Sequence, residues 1–430
     1  MKKSLIASLL FLSMIFSLVS CAKTPAATVD HTAESAESTL PADSAETSAD
    51  LPQRSVLSPM REAPTYLLSE GATPDEMRAL AVKAMRDELT VPWYVDHKVD
   101  YLFTSSDGVT MKSITLSPSE TYAGMPYTNA ITSLYHFLEY YDPETGRLLL
   151  SNDGLLDTAV GNQCAGSVIW GLATVASSVA FRTKGLRVTE GMIPLGNYTL
   201  SYGDKSNSTE IAKRNGKETM FEAYAEMKLA DVFASSEHIM MAIEEAHVVR
   251  KNGAIDGDES YVMIQNQEAG ARQNTSAYVE EVNGERLHFS GRRELKYTFS
   301  KLFEDGYLPL TCAEFLGQKE YELPKAEPDR EIRSLEDLSA ATVTSNRLLC
   351  VFYYRLLDEN GKEAFAGKRL TTYTDMNNLK LKNFPLGDLR LSLTSLARSS
   401  RLKGDFTLAL SCLDCTGTLH DLASFPVSLG

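Results

Sequence analysis

The residues with the clearest chemical potential lie in Val160-Gly-Asn-Gln-Cys-Ala-Gly-Ser-Val-Ile-Trp-Gly171, where a lone cysteine opens an apolar run directly after a polar, glycine-containing turn. The pattern predicts a helix that starts at Cys164. The first turn of a helix has N–H groups outside its own ladder and carries partial positive charge, and both favour thiolate over thiol. At exposed sites that dipole is worth about 0.3 to 1 kcal/mol, less than one pKa unit, so an activated thiolate also needs a cationic partner.

Among the seven histidines, His238 has the most suitable context, because Leu229-Ala-Asp-Val-Phe-Ala-Ser-Ser-Glu-His-Ile-Met-Met-Ala-Ile243 reads as strand, turn and second strand beginning at His238. A histidine at the mouth of a buried strand can face a cleft. There its imidazolium would pair with the Cys164 thiolate and later protonate a leaving amine, which is the Cys/His arrangement of acyl transfer. The following strand, Tyr261-Val-Met-Ile-Gln-Asn-Gln-Glu268, ends in side chains able to accept a hydrogen bond from the other ring nitrogen. Gln267 is the first choice for that third residue and Asn266 the second, with Gln265 beside them.

Three ordered motifs in this region resemble those of the NlpC-like cell-wall cysteine peptidases, a papain-like family: Gly124-Met-Pro-Tyr127, Asn162-Gln-Cys-Ala-Gly166, and Ala230-Asp-Val232 leading to His238. The resemblance spans roughly Gly124 to Gln267. It implies Cys164 as nucleophile, His238 as base, and Tyr127 as a hydroxyl near the thiolate, with Gln163 on the substrate side. Gln163 and Ala165 replace the family's Asp and Ser around the cysteine, and Ala230 stands where the family has glycine.

Other candidate sites lead to weaker chemistry. His247 follows His238 by nine positions, which is not the spacing of a His-Glu-x-x-His zinc site, and no further ligand set completes it. Asp256-Gly-Asp-Glu259 lacks the twelve-residue calcium loop, so a solvated turn is expected, and no metal or cofactor is implied. Cys412 and Cys415 form a Cys-x-x-Cys in or near a strand, where positions three apart face opposite sides, against a bridge between them. With Cys312 and Cys350 also present, a Cys350 to Cys412 disulfide is one pairing the sequence leaves open.

The elements that must hold Cys164 and His238 begin with a helix from Pro74 to about Leu89, introduced by the capping box Thr73-Pro-Asp-Glu76. Apolar runs of β character follow at Val109 to Leu116 and Leu148 to Leu150. Helices are expected from Asn129 to Tyr141 and from Cys164 to Phe181. Glu322-Leu-Pro-Lys-Ala-Glu-Pro-Asp-Arg-Glu331, with two prolines and many charges, reads as a linker. Beyond it, alternation at Leu389, Leu391 and Leu393 and at Phe406, Leu408 and Leu410 predicts half-buried strands. The expected fold is α+β: a papain-like NlpC-type domain over 56–321, a linker over 322–340, and a small all-β, immunoglobulin-like sandwich over 341–430.

At the N-terminus Lys2 and Lys3 precede an apolar run from Leu5 to Val19, the form of a secretory signal peptide over 1–20. Leu18-Val19-Ser20-Cys21 resembles the lipobox of bacterial lipoproteins, which implies diacylglycerol on the Cys21 thiol and a mature chain that begins there. From 21 to 55 the chain is mostly Ala, Thr, Ser, Glu, Asp and Pro, which cannot build a core. As a coil of about 34 residues it would span roughly 30 to 35 Å. The net charge is −15, and losing the signal's two lysines makes it more negative still, which excludes nucleic acid and anionic lipid headgroups as natural partners.

The combined expectation is a lipid-anchored, extracytoplasmic cysteine hydrolase acting on amide bonds of peptidoglycan peptide stems, with a membrane contact through Cys21. The alternatives are a non-catalytic wall-binding or surface-binding lipoprotein on the same scaffold, and an amidase or acyltransferase of the same superfamily.

Overall fold

A strand whose successive residues are all apolar has no solvent side, and Ile239-Met-Met-Ala242 forms such a strand at the centre of a six-stranded antiparallel sheet. The computed structural model describes residues 58–430 except 105–108, 151–153, 157, 183–184, 201–206, 268–278, 283–284 and 290. The expectations for the signal, Cys21 and the tether lie outside the described residues. The sheet runs in the order Gly291–Thr298, Tyr261–Gln267, Ile239–Ala242, Val232–Ala234, Leu308–Thr311, Ile193–Pro194.

Alternate residues of the two central strands serve different cores. Val232, Ala234, Ile239 and Met241 pack with the helices Pro74–Thr90 and Cys164–Ala173. Phe233, Met240 and Ala242 pack on the opposite face with Met220, Phe221 and Tyr224 of the helix Lys217–Ala225, and with Phe299. The fold is thus α+β, with helices on both sides of a mixed-length antiparallel sheet.

The first helix starts as predicted: the Thr73 side chain accepts from the Glu76 N–H, the Glu76 carboxylate accepts from the Thr73 N–H, and Pro74 occupies the first turn. The second helix is shorter than expected, covering only Leu134–Leu138. Ile131 has φ of 51° and Ser133 is an extended N-cap, so the chain before Leu134 cannot be helical. The cysteine helix stops at Ala173, and Phe181 lies beyond it with φ of 50°. Leu148 to Leu150 forms no strand among the described residues; Leu148 makes only an isolated bridge to Tyr141. The run near Val109 is a strand, Thr110–Leu116.

The stretch expected as a linker carries structure: Ala326–Pro328 is a strand and Leu335–Ala340 a helix capped by Ser334. Pro328 is accommodated because Ala326–Pro328 lies at the edge of its three-stranded sheet, where a missing N–H is tolerated. Region 341–430 is not all β either. The Leu389, Leu391, Leu393 alternation falls in a 3-10 turn, Leu386–Leu389, and the helix Leu393–Ser400, whose cap Ser392 accepts from the Ser395 N–H. Three alternating leucines are too few to distinguish a strand from a turn leading into a capped helix. The predicted strand at Phe406, Leu408 and Leu410 is present within Gly404–Asp414, part of a four-stranded antiparallel sheet with Leu419–Leu429, Leu349–Leu357 and Glu363–Leu370.

One face of that sheet joins the smaller sheet in a common core, with Phe352 and Phe384 ring centroids 4.4 Å apart. The other face is continuous with the first core: Leu348, Cys350, Val351 and Cys415 pack in the same cluster as Trp170 and Tyr135. Residues 59–430 accordingly form one compact unit.

Candidate active site

Cys164 begins a ten-residue helix whose N-cap is Gln163, extended at φ −138° and ψ 179°, with no side-chain capping bond of its own. The preceding residue completes the turn instead. Asn162 accepts the Gln163 N–H on its side-chain oxygen at 2.9 Å, and its amide donates to the Glu88 carboxyl at 3.0 Å. The Asn162 carboxamide lies against Gly166, where an added Cβ would come within 1.6 Å of its oxygen. The glycine two positions after the cysteine therefore makes room for this amide.

Tyr127 reaches the cysteine through a short parallel bridge. The Asn162 N–H donates to the Pro126 carbonyl at 2.9 Å and the Thr128 N–H to the Asn162 carbonyl at 2.8 Å. This close pairing requires Gly161, since a Cβ there would lie 2.4 Å from the Pro126 oxygen. Tyr127 and Cys164 are both 8% exposed, so their hydroxyl and thiol meet largely away from water.

His238 arrives from the opposite side, immediately before Ile239–Ala242. Its backbone is held by the Ser235 side chain, which accepts the His238 N–H at 3.0 Å, while the Ser235 N–H donates to the His238 carbonyl at 2.7 Å. The preceding strand is tied to the first helix by a buried ion pair, Arg78 to Asp231 at 2.7 Å. The same carboxylate also accepts from Thr311 at 2.6 Å and from the Lys228 N–H at 2.8 Å. Burial pushes the Asp231 carboxyl up, against the opposing pull of the Arg78 charge. Ala230 has φ of 66°, a left-handed conformation that L side chains rarely adopt, at the position where the resembling family carries glycine.

The structure brings Cys164, His238 and Tyr127 together. Burial pushes the Cys164 thiol up, but the charge of His238, its hydrogen bond, the Ile239 N–H and the Tyr127 hydroxyl outweigh it and leave the thiol below its ordinary value. The Ile239 N–H is a contributor that side-chain reasoning missed, and only the strand geometry reveals it.

The third-residue candidates separate. Gln265 accepts from Arg86 Nε at 3.1 Å and is engaged with the first helix. Gln265 opposes Met241 in the central strand, and Gln267, fully buried, ends its own strand two residues further along. Its amide donates to the Met125 carbonyl at 2.9 Å, tying the Gly124-to-Tyr127 segment to the sheet. Asn266 lies in the same strand, but its side chain is outside the described residues.

The remaining cysteines stand apart from this chemistry. Cys312, Cys350, Cys412 and Cys415 are buried free thiols. Cys350 packs in the first core and Cys412 in the C-terminal one, on opposite faces of the sheet, so the Cys350 to Cys412 pairing is not formed. Asp256, just past the hairpin Arg250–Lys251 and Ala254–Ile255, pairs with Lys251 at 2.6 Å and accepts the Asp258 and Glu259 N–H groups in a polar turn. Among the described residues, no helix is long and apolar enough to cross a membrane. No family model, curated protein or solved structure matches the chain.

Proposed function

We propose that this chain is a cysteine hydrolase with a papain-like, NlpC-type site that cleaves amide bonds in peptidoglycan peptide stems. The observation that carries the reading is the hydrogen-bonded Cys164 and His238 pair at a helix start, with the Tyr127 hydroxyl on the same sulfur and the thiol held below its ordinary value. The thiolate attacks the amide carbonyl and His238 gives its proton to the departing nitrogen as the C–N bond breaks. Water then attacks the thioester while His238 takes its proton, which releases the acid and restores the thiolate. The N–H groups of the first helical turn, together with Gln163, form the side on which the oxyanion would develop.

Gln267, anchored on Met125 of the segment that leads to Tyr127, is the third member of the proposed site. The C-terminal sheets are its binding or positioning module. The signal-like N-terminus and Cys21 support a position outside the cell membrane, with the lipid as tether and the wall as the first polymer within reach. The experiment is a comparison of wild type with Cys164→Ala for release of muropeptide fragments from purified wall. Release by wild type alone is expected; equal release by the variant would remove Cys164 from the chemistry.

A further inference from the structure

Glu88 is a fully buried carboxyl in the last turns of the first helix, remote in sequence from every motif named above, and it meets both segments that approach the sulfur. Its side chain takes the Asn162 amide at 3.0 Å, and its backbone carbonyl takes the Met125 N–H at 2.9 Å. The Leu134 N–H, at the start of the next helix, also donates to its carboxyl. Asn162 is the residue that accepts the Gln163 N–H and fills the space before Gly166. Met125 leads through Pro126 to Tyr127 and is held on its other side by Gln267.

We propose that Glu88 is a positioning residue for Cys164, setting the nucleophile's turn through Asn162 and the Tyr127 segment through Met125. The inference rests on the reading of Cys164 as nucleophile. Burial pushes this carboxyl well above its ordinary range, against the pull of its two donors, which favours the uncharged acid over a negative charge behind the sulfur. In its uncharged form such an acid holds two donors without opposing ionisation of a neighbouring sulfur.

The test uses the mature chain and iodoacetamide, reading the rate of Cys164 alkylation against pH by mass spectrometry. Four buried thiols, Cys312, Cys350, Cys412 and Cys415, serve as an internal fold control, because they label only when the core opens. If wild-type Cys164 titrates like a free thiol of pKa about 8.5, the nucleophile reading fails, and this inference with it. With an activated wild type, Glu88→Leu is expected to raise the midpoint by at least about one unit, slowing alkylation near pH 6 about tenfold. Asn162→Ala reads the same quantity should Glu88→Leu open the core. Glu88→Gln, neutral and of the same shape, is expected to keep the wild-type midpoint. Folded Glu88→Leu and Asn162→Ala proteins with the wild-type midpoint and rate would overturn the proposal while leaving the nucleophile reading intact. A lowered midpoint in Glu88→Gln would overturn the neutral acid.

Discussion

Cys164 and Cys350 are both buried with a histidine close by, and their settings shift the two thiols in opposite directions. At Cys164 the half-buried His238 bonds the sulfur directly, and the thiol falls below its ordinary value despite burial. At Cys350 the nearby histidine is His136, but Ser133 intervenes, bonding both Cys350 and the His136 ring. His136 Nδ1 accepts the Ser133 N–H at 3.1 Å, so the proton is on Nε2, which donates to the Thr371 carbonyl at 3.0 Å. Burial lowers this histidine to about 4 and pushes the Cys350 thiol well up. A histidine within the same core therefore lowers a cysteine thiol only where its ring faces the sulfur and keeps some solvent to support a charge.

The largest test of this contrast removes the histidine at the reactive pole. In His238→Ala the two largest influences that lower the Cys164 thiol are gone, and burial, which pushes it up, is opposed only by the Ile239 N–H and the Tyr127 hydroxyl. Alkylation of Cys164 at pH 6 should then fall about a hundredfold, the scale of the roughly one to three pKa units that a neighbouring opposite charge supplies, with Cys350 unreactive in both proteins. An unchanged rate would mean that helix start and Tyr127 suffice, and the contrast with Cys350 would need another cause.

The inert pole has its own signature. His136 has a folded pKa of about 4 against an ordinary 6.5. The unfolded chain thus binds a proton that the folded one refuses, and the sign follows: the stability is complete above pH 6.5 and is lost as pH falls from 6.5 toward 4. The full loss is about 3 kcal/mol. Urea unfolding at pH 7.5 and pH 4.5 should show it, and His136→Gln should remove much of the difference. An unchanged pH dependence in that variant would place the acid sensitivity elsewhere.

Much of the reactive pole was legible from local signals. Proline after a threonine cap, glycine two positions after a cysteine and an apolar tetrapeptide after a histidine are short-range patterns, and the corresponding helix starts and central strand form where they indicate. The contacts that join these pieces were not legible. Arg78 pairs with Asp231 and Glu88 with Asn162 across long sequence separations, and nothing in a single sequence marks two buried polar residues as partners. The inert pole was hidden for the same reason, since His136 and Cys350 meet only because the C-terminal sheet shares the first core. The linker and all-β expectations failed at that seam: charge and proline content describe a segment's solvent side, while Ala326, Leu338 and Val343 supply its buried side.

A smaller effect separates the donors at Cys164. Tyr127→Phe keeps the ring and deletes one hydroxyl bond to the sulfur, worth about 0.5 to 1.5 kcal/mol. Alkylation near pH 6 should slow about two- to tenfold, far less than in His238→Ala. A loss as large as that of His238→Ala would make the hydroxyl, not the imidazolium, the main support of the thiolate.

The smallest effect concerns the strand that carries His238 to the sulfur. Ala230 holds φ of 66°, where an L side chain costs about 1 to 2 kcal/mol. Its N–H donates to the Ala242 carbonyl at 2.8 Å, and Asp231 follows it into the ion pair with Arg78. The strained turn is thus imposed by bonds on both sides. Ala230→Gly removes the strain but gives the unfolded chain more freedom, which offsets about 0.5 to 1 kcal/mol of the gain. The variant should be more stable in urea unfolding by up to about 1 kcal/mol, with the Cys164 midpoint unchanged because the ion pair still fixes the strand. A shifted midpoint would show that the strain at Ala230, and not the Arg78 anchor, sets how closely His238 approaches the thiolate.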